Sequence, residues 1–336
     1  MSTKMTLEMV SATETELQRL SDNLNEPRIV PFRQMLTYHM GWTGDGSGPE
    51  STGKRIRPLL VLLTCTACGG NWKDALPAAA AVEFIHNFSL VHDDIQDNSP
   101  IRRGRPSVWA NWGVPMAINV GDALFALSNL SILNLMESYP AEMVNRVAYI
   151  LHKTCLTLTE GQFLDMTYES TDNLKVEDYW PMVTGKTAAL LSASCQLGSI
   201  LGEADEATIE AYQTFGHYLG LAFQVQDDIL GIWGDEALTG KSSASDLVEG
   251  KRSLPVIFGL EKCAQFSSLW VDGRVKPQDV EAAARLLASE GAYEFAHETA
   301  RQMTDMAINT LRGADPQGEA GEALYNLADH LLHRNS

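Results

Sequence analysis

Two acidic clusters, far apart in the chain and each trailed by basic residues, are the part of this sequence best equipped for chemistry. The first is Asp93-Asp94-Ile95-Gln96-Asp97, followed by Arg102 and Arg103. The second is Gln224-Val225-Gln226-Asp227-Asp228, followed by Lys241, Lys251 and Arg252. On a helix, Asp93 and Asp97 lie one turn apart on the same side. Carboxylates that close repel one another and lose hydration at a cost, unless a cation sits between them. Ligands that are all oxygen suit a hard ion that keeps part of its water, and magnesium shared with a substrate phosphate is the usual case. The arginines and lysines behind each cluster would grip the same phosphates. A single acidic pair is most often a solvated helix face, but two clusters with matched basic followers weaken that reading.

Other polar groups fit the same chemistry. Gly53-Lys54-Arg55-Ile56-Arg57-Pro58 puts three cations between a Gly-rich loop and the apolar run LLVLLTCTAC, a plausible diphosphate cradle at a helix start. His86 precedes Asp93 by seven residues, two helical turns, and falls on nearly the same face. A lone helical histidine is commonly a hydrogen-bonded core residue; beside a metal site, a second phosphate competes as its partner. His92 points elsewhere and reads as structural. Thr184-Gly185-Lys186-Thr187 lacks the spacing of a Walker loop, yet a lysine and a hydroxyl at a kink could contact phosphate.

The elements that must position these groups are helical. Periodicity near 3.6 dominates and strand alternation is hard to find. Pro77 opens an Ala-rich helix that carries the first cluster and stops at Asn98-Ser99-Pro100. A second helix runs from about Asp205 to Trp233, and three amphipathic segments fill the C-terminal third. Breaks fall at Gly41 to Gly53, Asn98 to Pro106 and Glu236 to Ser253. None has the composition of an interdomain linker, so one all-α domain over residues 1–336 is expected.

Bulk properties narrow the partners. At 45% hydrophobic content the chain can bury a substantial core. A formal net charge of −18 argues against nucleic acid and against docking on anionic membranes. The N-terminal segment MSTKMTLEMVSATETELQRL has no apolar signal core, and no stretch is read as long enough to span a bilayer, so a cytoplasmic protein is expected. The five cysteines are too scattered for a disulfide framework, and Cys65 and Cys68 read as small residues on a helix.

Taken in order, GKRIRP, EFIHNFSLVHDDIQD, IRRGRPS, GQFLD, TGKTA, FQVQDD and DLVEGKRSLP resemble the trans-prenyl diphosphate synthases over nearly the whole chain. The resemblance implies an all-α helical bundle around a deep central cavity, the isoprenoid synthase type, usually a homodimer. It implies the head-to-tail joining of isopentenyl diphosphate to an allylic diphosphate (dimethylallyl, geranyl or farnesyl) with magnesium and loss of pyrophosphate. Carried over residue by residue, Asp93 and Asp97 would hold magnesium on the allylic diphosphate and Asp227 a further ion, with Asp94 and Asp228 completing the catalytic pairs. Lys54, Arg57, His86 and Arg103 would bind isopentenyl diphosphate. Arg102, Lys186, Thr187, Gln224, Lys241 and Lys251 would contact the allylic substrate.

The second cluster departs from the pattern: its usual third aspartate is replaced by Gly231, which predicts weaker or water-mediated metal binding and a packing or bending role for the glycine. Product length should be set a turn or two before Asp93, where Phe88 supplies bulk, Ser89 leaves room and Ile85 lies deeper. That combination resembles enzymes making the twenty-carbon geranylgeranyl product, with the farnesyl product as the alternative. A class I terpene cyclase would not need GKRIRP. A non-catalytic partner subunit of another synthase would usually have lost the aspartates or lysines that this chain keeps.

Overall fold

The computed structural model describes residues 4–234 and 244–332. Their contacts divide the chain into two compact units. The first is made of residues 1–152, 194–209 and 316–324, and the second of residues 153–193, 210–315 and 325–336.

In the first unit, α1 (Lys4–Ser21), α2 (Val30–His39), the short α3 (Pro49–Thr52) and α4 (Ile56–Ala67) precede α5 (Leu76–Gln96), which carries the first acidic cluster. Proline in the first turn of α5 sets its start, as the sequence predicts. After α6 (Val108–Trp112), α7 (Val114–Leu133) lies along α5, and α8 (Ala141–Glu169) begins. Ala78 to Ala81 are wholly buried, and these small side chains let the neighbouring backbone approach. From α7, Ser128 Oγ reaches the Ala81 carbonyl at 2.9 Å and Ser131 Oγ the Pro77 carbonyl at 2.7 Å. Leu17, Leu20, Leu36, Phe84, Val91, Val120 and Leu124 fill the core between α1, α2, α5 and α7.

The second unit holds α9 (Val176–Val183), a single π turn at Thr184–Ala188, α10 (Ala189–Leu201) and α11 (Glu206–Trp233). The N-terminal turn of α11 and residues 194–201 of α10 belong to the first unit. There follow α12 (Ser245–Glu249), α13 (Leu254–Lys262), α14 (Ala264–Leu269), α15 (Val280–Ser289), α16 (Ala292–Gly313) and α17 (Gly318–Leu332). Tyr179, Leu221, Val225, Ile229, Ile257 and Ala296 make one buried cluster. Ile232, Leu247, Val256, Phe266 and Leu287 make another.

The all-α expectation is met. Two hairpins of two-residue strands depart from it, pairing Ile101-Arg102 with Arg105-Pro106 and Trp270-Val271 with Arg274-Val275. Their turns are Arg103-Gly104 (φ 52° and 72°) and Asp272-Gly273 (φ 52° and 77°), both left-handed at both central positions. That is the tight turn which Asp-Gly favours, a local signal too short for periodicity to register.

The expectation about apolar length also needs correction. Val114–Glu137 spans 24 residues at a mean hydropathy of 1.4, long and apolar enough to cross a bilayer, and 44% of its most apolar window is buried. The helix is apolar on two sides: one packs on α5, while Ile118, Leu130, Leu133 and Met136 stay exposed on the other.

Candidate active site

In the first unit, α5 presents Asp93 half-buried and Asp97 exposed, while Asp94 turns inward and is almost fully buried. Arg102, on the first strand of the Ile101–Pro106 hairpin, donates through Nε (2.9 Å) and NH2 (2.6 Å) to Asp94 Oδ1. Burial pushes the Asp94 carboxyl up, and Arg102 opposes that push. So the middle aspartate of the cluster is spent on holding the hairpin, and its two neighbours are left facing outward. The hairpin is tied down again by Arg105, which donates to the carbonyls of Tyr38, Thr43 and Asp45 and lies over the Tyr38 ring at 3.9 Å. Arg103, at the turn, donates to the carbonyls of Ser51 (2.9 Å) and Thr52 (3.2 Å) in the loop that leads to Lys54.

Beside this hairpin the cations of GKRIRP divide. Arg55 adopts a left-handed backbone (φ 49°) and turns into the core, pairing with Glu14 at 2.5 Å and Glu83 at 2.6 Å. It is an anchor, which leaves the cradle to exposed Lys54 and to Arg57. Arg57 NH1 lies 3.3 Å from His86 Nε2. Because a guanidinium can only donate, His86 must accept, so its imidazole is neutral. Burial first, then the charges of Arg57, Arg103, Arg55 and Arg102, hold its pKa well below the ordinary value. His39 is likewise held down, to about 3, by burial and by Arg103, Arg102 and Arg55. Two neutral histidines among four arginines mark a strongly positive region, the field a diphosphate would neutralise.

The residues expected to gauge product length lie just before the cluster on α5. Ile85 is buried, and Ser89 donates back to the His86 carbonyl at 2.8 Å. Phe88 is half-buried, with its ring 4.9 Å from His92 and 5.5 Å from Phe125 of α7. Sequence reasoning missed Phe125, since nothing in its spacing ties α7 to α5. His92 is structural as read: its Nε2 lies 3.3 Å from the Ile118 carbonyl, and its ring covers Gly121, where a Cβ would come within 2.5 Å of it.

In the second unit, the TGKTA kink is the π turn between α9 and α10. It crosses α8 where two glycines meet: a Cβ on Gly161 would lie 2.5 Å from the Gly185 carbonyl carbon. Lys186 thereby reaches Asp165, one turn past Gly161, and pairs with it. Thr187 Oγ1 donates to Gln224 Oε1 (2.8 Å), and Gln224 Nε2 donates to Asp228 Oδ1 (2.9 Å). The Tyr179 hydroxyl and the Leu254 backbone N–H both donate to Asp228 Oδ2 at 2.8 Å. Burial pushes Asp228 up to about 7 against these donors. Asp228 therefore joins α11 to α9 and to the first turn of α13, while Asp227 stays half-exposed. Arg252 also turns inward, onto the carbonyls of Tyr168, Glu169 and Thr171. Lys251 is half-exposed and pairs with Glu249 at 2.9 Å. Gly231 serves packing, as expected: a Cβ there would lie 2.5 Å from Asp246 Cγ. Lys241 lies outside the described residues.

Among the described residues, no three acidic, histidine or cysteine side chains gather closely enough to hold an ion unaided. The donor set nonetheless fits magnesium, which takes one or two carboxylates and completes its shell with substrate phosphate and water. Neither Cys65 nor Cys68 is in a disulfide, and burial pushes the Cys65 thiol up to about 12, so the pair behaves as packing.

The sequence pattern of the polyprenyl synthetase family matches residues 48–287. A geranylgeranyl diphosphate synthase of Mycobacterium tuberculosis is 40% identical over 305 residues, covering 89% of this chain and 85% of that protein. A (2E,6E)-farnesyl diphosphate synthase of the same species is 34% identical over 331 residues, covering 95% and 90%. The crystal structure of geranylgeranyl pyrophosphate synthase from Corynebacterium glutamicum, complexed with isoprenyl diphosphate and magnesium, superposes with a TM-score of 0.84. It is 26% identical and covers 99% of each chain.

Proposed function

The chain belongs to the polyprenyl synthetase family and is a short-chain prenyltransferase with the all-α isoprenoid synthase fold, and from that premise we propose that it makes geranylgeranyl diphosphate. Isopentenyl diphosphate is joined to dimethylallyl, geranyl or farnesyl diphosphate. The observation that carries this reading is the positive region around neutral His86, on the same helix as the outward carboxylates Asp93 and Asp97.

In this assignment Lys54, Arg57, Arg103 and His86 bind isopentenyl diphosphate. His86 contributes an unprotonated imidazole that orients Arg57. Asp93 and Asp97 would hold magnesium on the allylic diphosphate, and Asp227 would hold a further ion. Magnesium, when bound, would offset the charge that builds on the departing pyrophosphate. Lys186, fixed by Asp165, adds a cation to the leaving group, as do Lys251 and Lys241. Asp94 and Asp228 act at one remove, through Arg102 and through the Thr187–Gln224 chain. The allylic cation must be shielded from water, which suits a helical core. The final proton goes to pyrophosphate, so no dedicated protein base is required.

A single catalytic domain over 1–336 goes with this reading, supported by α8, α10 and α11 contributing residues to both units. So does a homodimer. The exposed face of α7 and the stripe of Tyr149, Leu156 and Phe163 on α8, more than 60% exposed at seven-residue spacing, suit a second copy. Five cysteines, none in a disulfide, suit the cytoplasm. We assign no nucleic-acid partner and no stable membrane insertion.

The test is to incubate the purified chain with isopentenyl diphosphate, magnesium and each starter in turn, then identify the prenyl alcohols by mass spectrometry. A twenty-carbon product from all three, abolished by chelation of the metal, is expected. A fifteen-carbon product favours the farnesyl reading, which the relative of that name also supports. No product from any starter would favour a non-catalytic partner subunit.

A further inference from the structure

The loop from Gly41 to Gly53 is pinched at its neck. Gly41 (φ 82°) lies so close to the far side that a Cβ there would come within 2.5 Å of the Ser51 carbonyl carbon. Arg103 holds that same side through the Ser51 and Thr52 carbonyls. A single carboxylate closes the neck a second time. Glu14 of α1 accepts from Trp42 Nε1 at 2.8 Å through Oε2, and from Arg55 Nε at 2.5 Å through Oε1. Its two oxygens thus tie the start of the loop to the residue that follows Lys54. Neutralising Arg55 does not require this second acid. Glu83, its side chain 3% exposed, already accepts from Arg55 NH1 at 2.6 Å, and one carboxylate balances one guanidinium. What Glu14 adds is position. The left-handed backbone of Arg55 (φ 49°) costs any residue with a Cβ, and here it persists because the guanidinium is held at both Nε and NH1. Lys54 lies just before that turn and Arg57 in the first turn of α4 just after it, so the backbone at Arg55 sets the direction of both.

We propose that Glu14 is a positioning residue for isopentenyl diphosphate: by holding Trp42 and Arg55 together, it fixes Lys54 and Arg57 in the cradle that takes this substrate. This rests on the prenyltransferase reading and deepens it with a residue that acts only through its neighbours. The helix that carries Glu14, Lys4–Ser21, lies wholly before residues 48–287, the part of the chain that the family pattern matches. The N-terminal helix is then part of the cradle's support and not an appendage to the bundle.

The test separates the two substrates. Glu14→Gln keeps the size of the side chain but leaves one oxygen for two donors. In the full chain it should raise KM for isopentenyl diphosphate about tenfold, while kcat and KM for farnesyl diphosphate change less than about twofold. Calorimetric titration with isopentenyl diphosphate alone should show the same loss without turnover. A merely loosened fold would instead lower the active fraction, and so kcat, and leave both KM values in place. The double variant Glu14→Gln/Arg55→Lys should bind isopentenyl diphosphate no worse than Arg55→Lys, because the carboxylate acts through the guanidinium. Trp42→Phe spares the Arg55 pair and frees only the other side of the neck. It should give a smaller rise in the same KM, and it carries the test if Glu14→Gln does not fold. An unchanged KM for isopentenyl diphosphate in the folded variants overturns the proposal, as does a rise shared equally by both substrates or a double variant whose losses simply add. If the unaltered chain makes no condensation product from any starter, the prenyltransferase reading fails and the proposal with it, an outcome seen in the parent protein and so distinct from the others.

Discussion

Replacing Phe88 by alanine is expected to lengthen the product by one isoprene unit. Phe88 stands five residues before Asp93, about 7.5 Å along the axis of α5 at 1.5 Å per residue. Its ring closes against Phe125 at 5.5 Å and His92 at 4.9 Å, so a tail running back along α5 meets three rings together. With the ring gone, the next large side chain on that face is Phe84, four residues deeper and wholly buried in the core. Four residues are about 6 Å, close to one extended isoprene unit, so the floor drops by one unit and stops there. Full burial of a phenylalanine would put the stability cost at about 3–5 kcal/mol. Phe88 is only half-buried, so the variant should lose less and fold. Products made from farnesyl diphosphate and isopentenyl diphosphate would be sized by mass spectrometry, with Phe125→Ala in parallel, where a smaller shift in the same direction is expected. An active Phe88→Ala enzyme with an unchanged product distribution would refute the ruler and place the floor elsewhere.

Three further outcomes follow from how side chains are spent. His39, held neutral to about pH 3 in the fold but ionising near 6.5 when unfolded, binds a proton only in the unfolded chain between those values. Its contribution is present above pH 6.5 and lost as pH falls, by about 2 kcal/mol at pH 5. Urea titrations at pH 7.5 and 5 should show a smaller stability loss in His39→Gln, and equal losses in both proteins would contradict this. Gly161→Ala should destabilise by about 1–3 kcal/mol, because its methyl meets the Gly185 backbone and not a movable side chain. A variant as stable as the parent, as helix propensity alone would favour, would show that the crossing can open. Asp94→Asn should lower stability by about 1–3 kcal/mol by weakening the Arg102 bonds and leave the half-saturating magnesium concentration unchanged. Asp93→Asn should do the reverse, and a raised magnesium requirement in Asp94→Asn would return that residue to the metal.

Much of this site was legible from residue types and spacing. Helical period and Pro77 placed α5 within a residue of its start, and the doubled acidic clusters with basic followers named the chemistry. What spacing could not show is direction. Arg55 sits between two cradle cations and reads as a third, yet a left-handed backbone sends it to Glu14 and Glu83, acidic residues 41 and 28 positions away. Arg105 and Arg252 likewise bind carbonyls, and no local pattern separates them from the arginines left for substrate. The Arg103-Gly104 turn was readable from its residues, but a two-residue strand has no period to detect.

The two aspartate pairs carry this furthest. In sequence Asp93-Asp94 and Asp227-Asp228 are doublets whose members look interchangeable. In the fold, adjacent helical residues diverge by about 100°. The first of each pair therefore stays at the surface, and the second enters the core, Asp94 to Arg102 and Asp228 to Tyr179, Gln224 and the α13 N-terminus. A buried carboxylate with several donors is costly to move, so each outward aspartate is set by the rigid one beside it. Position 231 extends the same logic across two elements. There a deletion of side chain in one helix is matched by burial of Asp246 from another.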